Sequence, residues 1–437
     1  MATETKNGGL LGWYFGTNLL VRIVTGLVLG GIVGIALGFQ PETAAAFIKY
    51  TRIFGDIFVN LLKMIVVPVI FFSLIVGAAS LSPSMLGRVG VRTILFYMLS
   101  TLFAVFIGLV VATVLEPGAG LNMAAAGDVK GATREAPSMM KVLLDIIPTN
   151  PFDSLAKGAV LPIIFFALCV GISLAALREA KDEVLARQAN IMFDACSAFA
   201  ECIYKIVGGI MQYAPIGVFF LIAMVFAQQG PKVVGPLLFV TLAVYIALVI
   251  QYLVCYGGLL TLNGLSLVKF TRGASDAMIT AFVTRSSSAT LPVSMRVSEE
   301  NLGASRTIAA FALPIGATIN MNGTAIYIAV CAMFIGNACN MPLTFDQQFS
   351  VMITATLAAI GTAGVPGAGA LMLIMALESI GIKLEAGSAV AATYAMILGI
   401  DALLDMGRTC MNITGDICGV VLVSKGEKML DMSVWKS

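Results

Sequence analysis

The chain has 437 residues, of which 59% are hydrophobic and only 11% charged, with a net charge of +2 and no histidine. An ordinary soluble domain carries about a quarter charged residues, so the composition excludes a water-soluble globular protein, and the small net charge gives no electrostatic footprint for nucleic acid. Without histidine the commonest catalytic base and proton relay is missing, and any proton chemistry falls to carboxylates.

Apolar runs long enough to cross a bilayer place full spans near 17–39, 48–80, 91–115, 142–177, 190–227, 233–262, 303–335 and 386–424. The first run ends at Gly38 and Phe39 without a small-residue cleavage site, and reads as a retained span rather than a signal peptide. Two further segments, 265–300 and 342–381, each hold two short apolar runs around a polar or glycine-rich centre: Thr284-Arg-Ser-Ser-Ser-Ala-Thr-Leu-Pro292 in one, Gly361-Thr-Ala-Gly-Val-Pro-Gly-Ala-Gly369 in the other. Neither half crosses alone. Half-length helices joined by such a tip are what a re-entrant hairpin needs, because its turn sits at membrane depth only where it lines a protein cavity. The prediction is an all-α polytopic membrane protein with eight transmembrane helices and two re-entrant hairpins. Its eight cysteines lie mostly in apolar stretches without metal-ligand spacing, and read as small buried hydrophobes.

Loop charges test this topology. Arg88, Arg92, Arg178, Lys181, Arg187, Lys269, Arg272, Arg296, Arg306, Lys425, Lys428 and Lys436 fall on one side if each hairpin returns to its own face. That side is then cytoplasmic and carries both termini of the predicted topology. The opposite loops mix fewer basic residues with acids, as in Glu116, Asp128, Lys130, Arg134, Glu135 and Lys141.

The last two full spans contain polar strings, Asn320-Met-Asn-Gly-Thr324 and Asp405-Met-Gly-Arg-Thr-Cys-Met-Asn-Ile-Thr-Gly-Asp416. Each ionised side chain at bilayer depth costs roughly 2.5–3.5 kcal/mol on insertion scales, so Asp405, Arg408 and Asp416 must face partners, a ligand or ions. Both strings read as helix breaks, so each hairpin is followed by a broken span. The two units enter from opposite faces, an inverted repeat that places a binding site near the midplane. Half-helix N-termini attract carboxylates and unwound carbonyls coordinate cations, so this architecture calls for an anion and cations together.

The serine-rich tip, the Asn-Met-X-Gly-Thr break, the glycine-rich tip and the Asp-Met-Gly-Arg-Thr string together resemble the dicarboxylate/amino-acid:cation symporters, the family of the archaeal aspartate transporters and animal excitatory amino-acid transporters. The resemblance covers nearly the whole chain. It implies an elevator-type homotrimer in the cell (inner or plasma) membrane, carrying an acidic amino acid, L-aspartate or L-glutamate, with two or more sodium ions. A fixed scaffold would comprise 1–90 (spans 1 and 2) and 142–228 (spans 4 and 5). The moving transport domain would comprise 91–116 (span 3) and 229–424, followed by a cytoplasmic tail, 425–437.

The resemblance also implies site residues. Arg408 grips the side-chain carboxylate with Thr324, and Asp405 accepts the ammonium. Thr409, Asn412, Ser286 and Ser287 cradle the α-carboxylate, while Arg285 and the loop Val365, Pro366, Gly367, Ala368 and Gly369 add backbone contacts. One sodium maps to Gly316, Asn320, Asn412 and Asp416, and another to Thr318, Ala359, Ile360 and Thr362. A third maps to Tyr97, Ser100, Thr101, Asn320 and position 322, where this chain has Asn322 in place of the usual aspartate. A neutral amide coordinates but supplies no charge, so that site is weakened. Ile328 stands where animal relatives carry a glutamate tied to proton and potassium coupling, which removes that route here.

Other readings compete. An ion pair with Asp405 alone would also neutralise Arg408, three residues away. Ser286, Ser287 and Ser288 are also suited to helix packing, since small residues line membrane helix contacts. Proton coupling through Asp416, Asp405 or Asp401 is the runner-up within the same fold. An anion channel would tolerate the same polar breaks. An intramembrane aspartyl protease is disfavoured, because Arg408 holds neighbouring carboxylates ionised whereas a protease dyad shares a proton.

Overall fold

The computed structural model describes residues 16–17, 19–79, 88–123, 144, 146–229, 234–359 and 367–436. The described residues are helical with no strand, as hydrocarbon demands, since a helix pairs every backbone polar group within its own segment. Among the described residues, seven helical runs are long and apolar enough to cross a membrane.

Helix α1 (Leu19–Gly38) gives way at Gly38 to Pro41, which opens α2 (Pro41–Ala79). Then come α3 (Arg88–Leu115), the short α4 (Pro151–Lys157), α5 (Val160–Arg178) and the 47-residue α6 (Glu183–Gln229). Helices α1, α2, α5 and α6 pack on one another. A glycine stripe fixes the α1–α6 crossing: a Cβ at Gly26, Gly30 or Gly34 would lie 2.5 Å from the carbonyl oxygen of Pro215, Phe219 or Ala223 respectively. Small residues four apart thus let the two backbones meet directly.

The fourth span is shorter than the expected 142–177. Asn150 caps α4 by accepting from the amides of Phe152 and Asp153, and Gly158 ends it in the left-handed region (φ 67°). The apolar helix of this span therefore starts at Val160 and has 19 residues, about 29 Å of helix.

The remaining elements form a second group. Helix α7 (Val234–Ile250) continues through a π-helical turn, Gln251–Gly257, into α8 (Gly258–Leu262). The first hairpin is α9 (Leu267–Thr284) against α10 (Ser287–Arg296), the latter extended by a π turn at Val297–Asn301. The span after it is broken into α11 (Arg306–Ile319) and α12 (Asn322–Ala338), so the break is confined to Asn320 and Met321. The second hairpin is α13 (Phe345–Ala359) against α14 (Ala368–Ser379). Its expected tip residues Ile360, Gly361, Thr362, Ala363, Gly364, Val365 and Pro366 lie outside the described residues, as do Asp128, Lys130, Arg134, Glu135 and Lys141.

The expected break at Asp405–Asp416 is absent: α15 (Ala389–Gly426) runs unbroken for 38 residues. The string holds no proline, and its polar side chains find partners along the helix itself, as Arg408 does with Asp401 and Asp405, or on neighbouring elements, as Asn412 and Asp416 do, without freeing the backbone. Its glycines serve contact instead. A Cβ at Gly407 would meet Leu248 and Tyr245 within 3.1 Å, and one at Gly415 would meet Asn320 at 2.7 Å.

Candidate substrate and cation site

One face of α15 carries Asp401, Asp405, Arg408, Asn412 and Asp416, spaced by three or four residues. Arg408 is only 1% exposed. Its Nη1 donates to Asp401 Oδ1 at 2.8 Å and its Nη2 to Asp405 Oδ1 at 2.7 Å. The guanidinium carbon lies 4.2 Å from the centre of the Tyr327 ring on α12, a cation–π seat that holds the fork flat. Nε has no hydrogen-bond partner among the described residues. The ion pair with Asp405 is therefore formed, and Asp401 makes it a three-member cluster, with formal charge −1 when both acids are ionised.

The second hairpin closes onto this cluster. Gly367 N donates to Asp405 Oδ2 at 3.4 Å, and a Cβ at Gly369 would sit 2.9 Å from the Arg408 guanidinium. Only glycine leaves that approach open. Ala368 is buried at the start of α14. The first hairpin contributes Arg285, held in the left-handed region (φ 55°), and Ser286, whose Oγ caps α10 by accepting from Ala289 N at 3.2 Å. Ser287 is buried in the first turn of α10. Arg285, Gly367 and Asp401 line one cleft, whose opposite wall comes from the first group through Ile23, Phe58 and Met211.

Behind the cluster, α15 and the broken span interlock. Asn412 Oδ1 accepts from Gly323 N at 2.7 Å, pairing an amide that the break sets free at the N-terminus of α12. Asn412 Nδ2 reaches Thr324 Oγ1 at 3.3 Å, and Thr409 Oγ1 reaches Asp405 Oδ1 at 3.4 Å. Of the substrate residues expected from the sequence, Asp405 and Gly369 lie against Arg408, Thr409 bonds to Asp405, Arg285 and Gly367 line the adjoining cleft, and Asn412 joins Thr324 behind it, while Ser286 and Ser287 follow Arg285 in the first hairpin's tip.

The first cation set is also assembled. Asp416 is 1% exposed, has no ion-pair partner among the described residues, and accepts a single hydrogen bond, from Asn320 Nδ2 at 2.8 Å. Asn320 Nδ2 also lies 3.4 Å from the Asn412 carbonyl. A Cβ at Gly316 would fall 2.5 Å from Asp416 Oδ1, so the glycine keeps α11's backbone beside the carboxylate. No three His, Cys, Asp or Glu side chains converge among the described residues. A cation placed here would rest on amide, carbonyl and single-carboxylate oxygens, a set that suits a hard ion. Of the second set, Thr318 and Ala359 are described, Thr318 Oγ1 donating to Ile315 O at 3.1 Å; Ile360 and Thr362 are among the residues left out.

Of the third set, Ser100, Thr101, Asn320 and Asn322 are joined by hydrogen bonds among themselves. Thr101 Oγ1 donates to Asn322 Oδ1 at 2.6 Å, while Asn322 Nδ2 donates to Ser100 Oγ at 3.1 Å and to Tyr256 Oη at 2.6 Å. Ser100 Oγ in turn lies 3.3 Å from Asn320 Oδ1, and Tyr97 Oη donates to Ala312 O at 3.0 Å. Both N–H bonds of the Asn322 amide are thus spent on hydroxyl oxygens that a cation would otherwise claim.

The sequence reading missed four participants. Asp401 was noted as an acid but not as Arg408's partner, although seven residues, two helical turns, put them on one face. Tyr327 beneath Arg408 left no sequence signal. Tyr256 and Gln251, whose Nε2 donates to Ser100 O at 3.3 Å, come from the π turn. Five residues apart in an α-helix, their side chains would diverge by about 140°; the wider turn brings both to the same cluster.

Residues 19–426 match the model of the sodium:dicarboxylate symporter family. A proton/sodium-glutamate symport protein of Geobacillus stearothermophilus is 34% identical over 414 residues, covering 93% of this chain and 94% of the relative. The proton/glutamate-aspartate symporter of Escherichia coli (strain K12) is 34% identical over 427 residues, 95% of this chain and 94% of its own. A C4-dicarboxylate transport protein of Bacillus subtilis (strain 168) is 30% identical over 420 residues, with 95% and 94% covered. With its charged face on an unbroken span, two hairpins around it and a match along almost its whole length, this chain belongs to the sodium:dicarboxylate symporter family, a family of membrane transporters and not of enzymes.

Proposed function

We propose that this protein is a secondary symporter that imports an acidic amino acid, L-aspartate or L-glutamate, together with sodium. The relatives' names span amino acids and dicarboxylates, and the charge balance around Arg408 favours the amino acid. Asp401 and Asp405 flank one guanidinium. An α-ammonium offsets the surplus acid, while a plain dicarboxylate brings two more negative charges and no cation. The observation that carries sodium coupling is Asp416, a buried carboxylate with no ion-pair partner among the described residues and one hydrogen bond, from the Asn320 amide. A buried charge without a counter-ion is costly, and a sodium ion held by Gly316, Asn320, Asn412 and Asp416 relieves it.

Protonation of Asp416 relieves the same cost, which keeps proton coupling as the second reading. The elevator division supports the proposal at larger scale: α1, α2, α5 and α6 pack as one group, with the site on the other. A homotrimer built through the first group is part of the same reading. So is a cytoplasmic face at the end where Arg92 meets Glu427, Lys425 meets the Asn263 carbonyl and Lys269 meets that of Trp435.

The test is uptake of labelled aspartate into proteoliposomes under an imposed sodium or proton gradient, with unlabelled succinate as competitor. Accumulation against the aspartate gradient, driven by sodium alone and resistant to succinate, is expected. Accumulation driven by protons alone transfers the coupling to Asp416 protonation. Equilibration without accumulation makes the protein a channel.

A further inference from the structure

Past α15 the chain turns back onto the first hairpin. Glu427 accepts from Arg92 Nη1 and lies 3.5 Å from Arg88 Nε, both in the first turns of α3. Lys428, in the left-handed region (φ 59°), reverses the direction. Asp431 N then donates to Gly303 O at 2.8 Å. Gly303 is itself left-handed (φ 66°), and a Cβ there would lie 2.8 Å from Asp431 O, so the approach depends on glycine. Ser433 donates to Asp431 Oδ1 through its amide at 2.9 Å and its hydroxyl at 2.7 Å, which holds that carboxyl below the ordinary carboxylate range.

These bonds start the short helix α16 (Ser433–Lys436) and aim Trp435 inward. The Trp435 ring is buried, with Nε1 donating to Leu302 O at 2.8 Å, while Lys269 Nζ donates to the Trp435 carbonyl at 2.7 Å. Lys269 lies in the first turn of α9, and Leu302 and Gly303 follow the end of α10's π extension. One ten-residue segment therefore bonds to both legs of the hairpin at its open end, opposite the Arg285–Ser286 tip. Through Glu427 it is also tied to α3. Between the legs themselves, Asn301 Nδ2 to Gly273 O and the Arg296–Asp276 pair act closer to the middle.

We propose that residues 427–436 are a strap that closes the base of the first hairpin and anchors it to α3, positioning the serine tip by restraining the far ends of its two legs. The proposal rests on the symport reading only in that this tip carries the expected substrate contacts. The strap's own test reads no transport, so its failure leaves that reading standing.

The experiment is amide hydrogen exchange by mass spectrometry on the purified full chain, comparing the parent with Trp435→Ala, Trp435→Phe and Lys269→Met, with thermal melting in parallel. Peptides spanning 296–305 are expected to exchange at least fivefold faster in Trp435→Ala. Lys269→Met and Trp435→Phe should be intermediate, each losing one bond while the segment stays seated. Peptides of the second hairpin and α12 should keep parent rates. Unchanged exchange at 296–305 in all three variants overturns the strap. So does a uniform rise across every peptide with a lowered melting point, because the segment would then be a general folding staple. If Trp435→Ala does not fold, the two milder variants decide by the same criterion.

Discussion

Arg408 is held by two acids and a ring, so removing its charge acts twice. Arg408→Thr deletes the donors for a substrate carboxylate and leaves Asp401 and Asp405 buried without a counter-ion. Loss of charge-assisted hydrogen bonds weakens acidic substrate by about 2–4 kcal/mol, roughly 30- to 1000-fold in Kd. Neutral amino acids, which never used that carboxylate contact, lose little, so selectivity moves towards serine or alanine. Calorimetric titration at fixed sodium checks this; an unchanged aspartate affinity would remove Arg408 from the substrate site. Asn322 gives the second prediction at this scale. An aspartate has no hydrogens to offer Ser100 and Tyr256 and adds one negative charge among Thr101, Ser100 and Asn320. Asn322→Asp is therefore expected to raise the sodium coupling number by about one, since each added carboxylate balances one cation. Reversal potentials of substrate flux over a range of sodium gradients measure it, and identical stoichiometry in the two proteins contradicts the idea.

Among the elements, the break in the span after the first hairpin matters because α15 passes so close to it. The N-terminus of α12 lies against the α15 backbone at Gly323, where an added Cβ would run into the Arg408 carbonyl. Backbone cannot yield as a flexible side chain would. Gly323→Ala is thus expected to destabilise the protein by about 1–3 kcal/mol, the usual range for overpacking. It should also weaken aspartate binding, because it displaces the Asn412–Gly323 bond that registers the two helices. A melting scan with and without aspartate reads both effects. Equal melting points for parent and variant would mean that the helices separate without cost.

At the scale of the whole molecule, the two helix groups meet where Arg52 of α2 donates to the Ala386 carbonyl at 3.2 Å, just before α15. Arg52 also pairs with Asp56 at 3.3 Å and lies against Gly387, whose φ is +72°. If the second group moves as a body against the first, tethering this point stops the cycle without touching the site. Arg52→Cys with Ala386→Cys, joined by a short bifunctional thiol reagent in a background without other reactive cysteines, should abolish uptake while aspartate still binds. Cleaving a reducible version of the tether should restore transport. Full uptake with the bridge intact would show that the groups do not slide at this contact.

Much of this was legible in the residues. Length and hydropathy located the spans to within about seven residues, the fourth excepted, because hydrocarbon leaves the backbone no alternative to helix, and the charges at Asp405, Arg408 and Asp416 marked the candidate site because ionised groups at that depth need partners. Asn320 was read as a break and is one. The sequence misjudged Asp405–Asp416, since a polar string and an unwound helix look alike until the neighbouring elements show whether side chains or backbone meet the need. Tertiary structure alone decided that Arg408 lies between Asp401 and Asp405 over Tyr327, that a π turn delivers Gln251 and Tyr256 to Asn322, and that Trp435 returns to the base of the first hairpin. Each of those depends on distance between segments far apart in the chain, which no local period records.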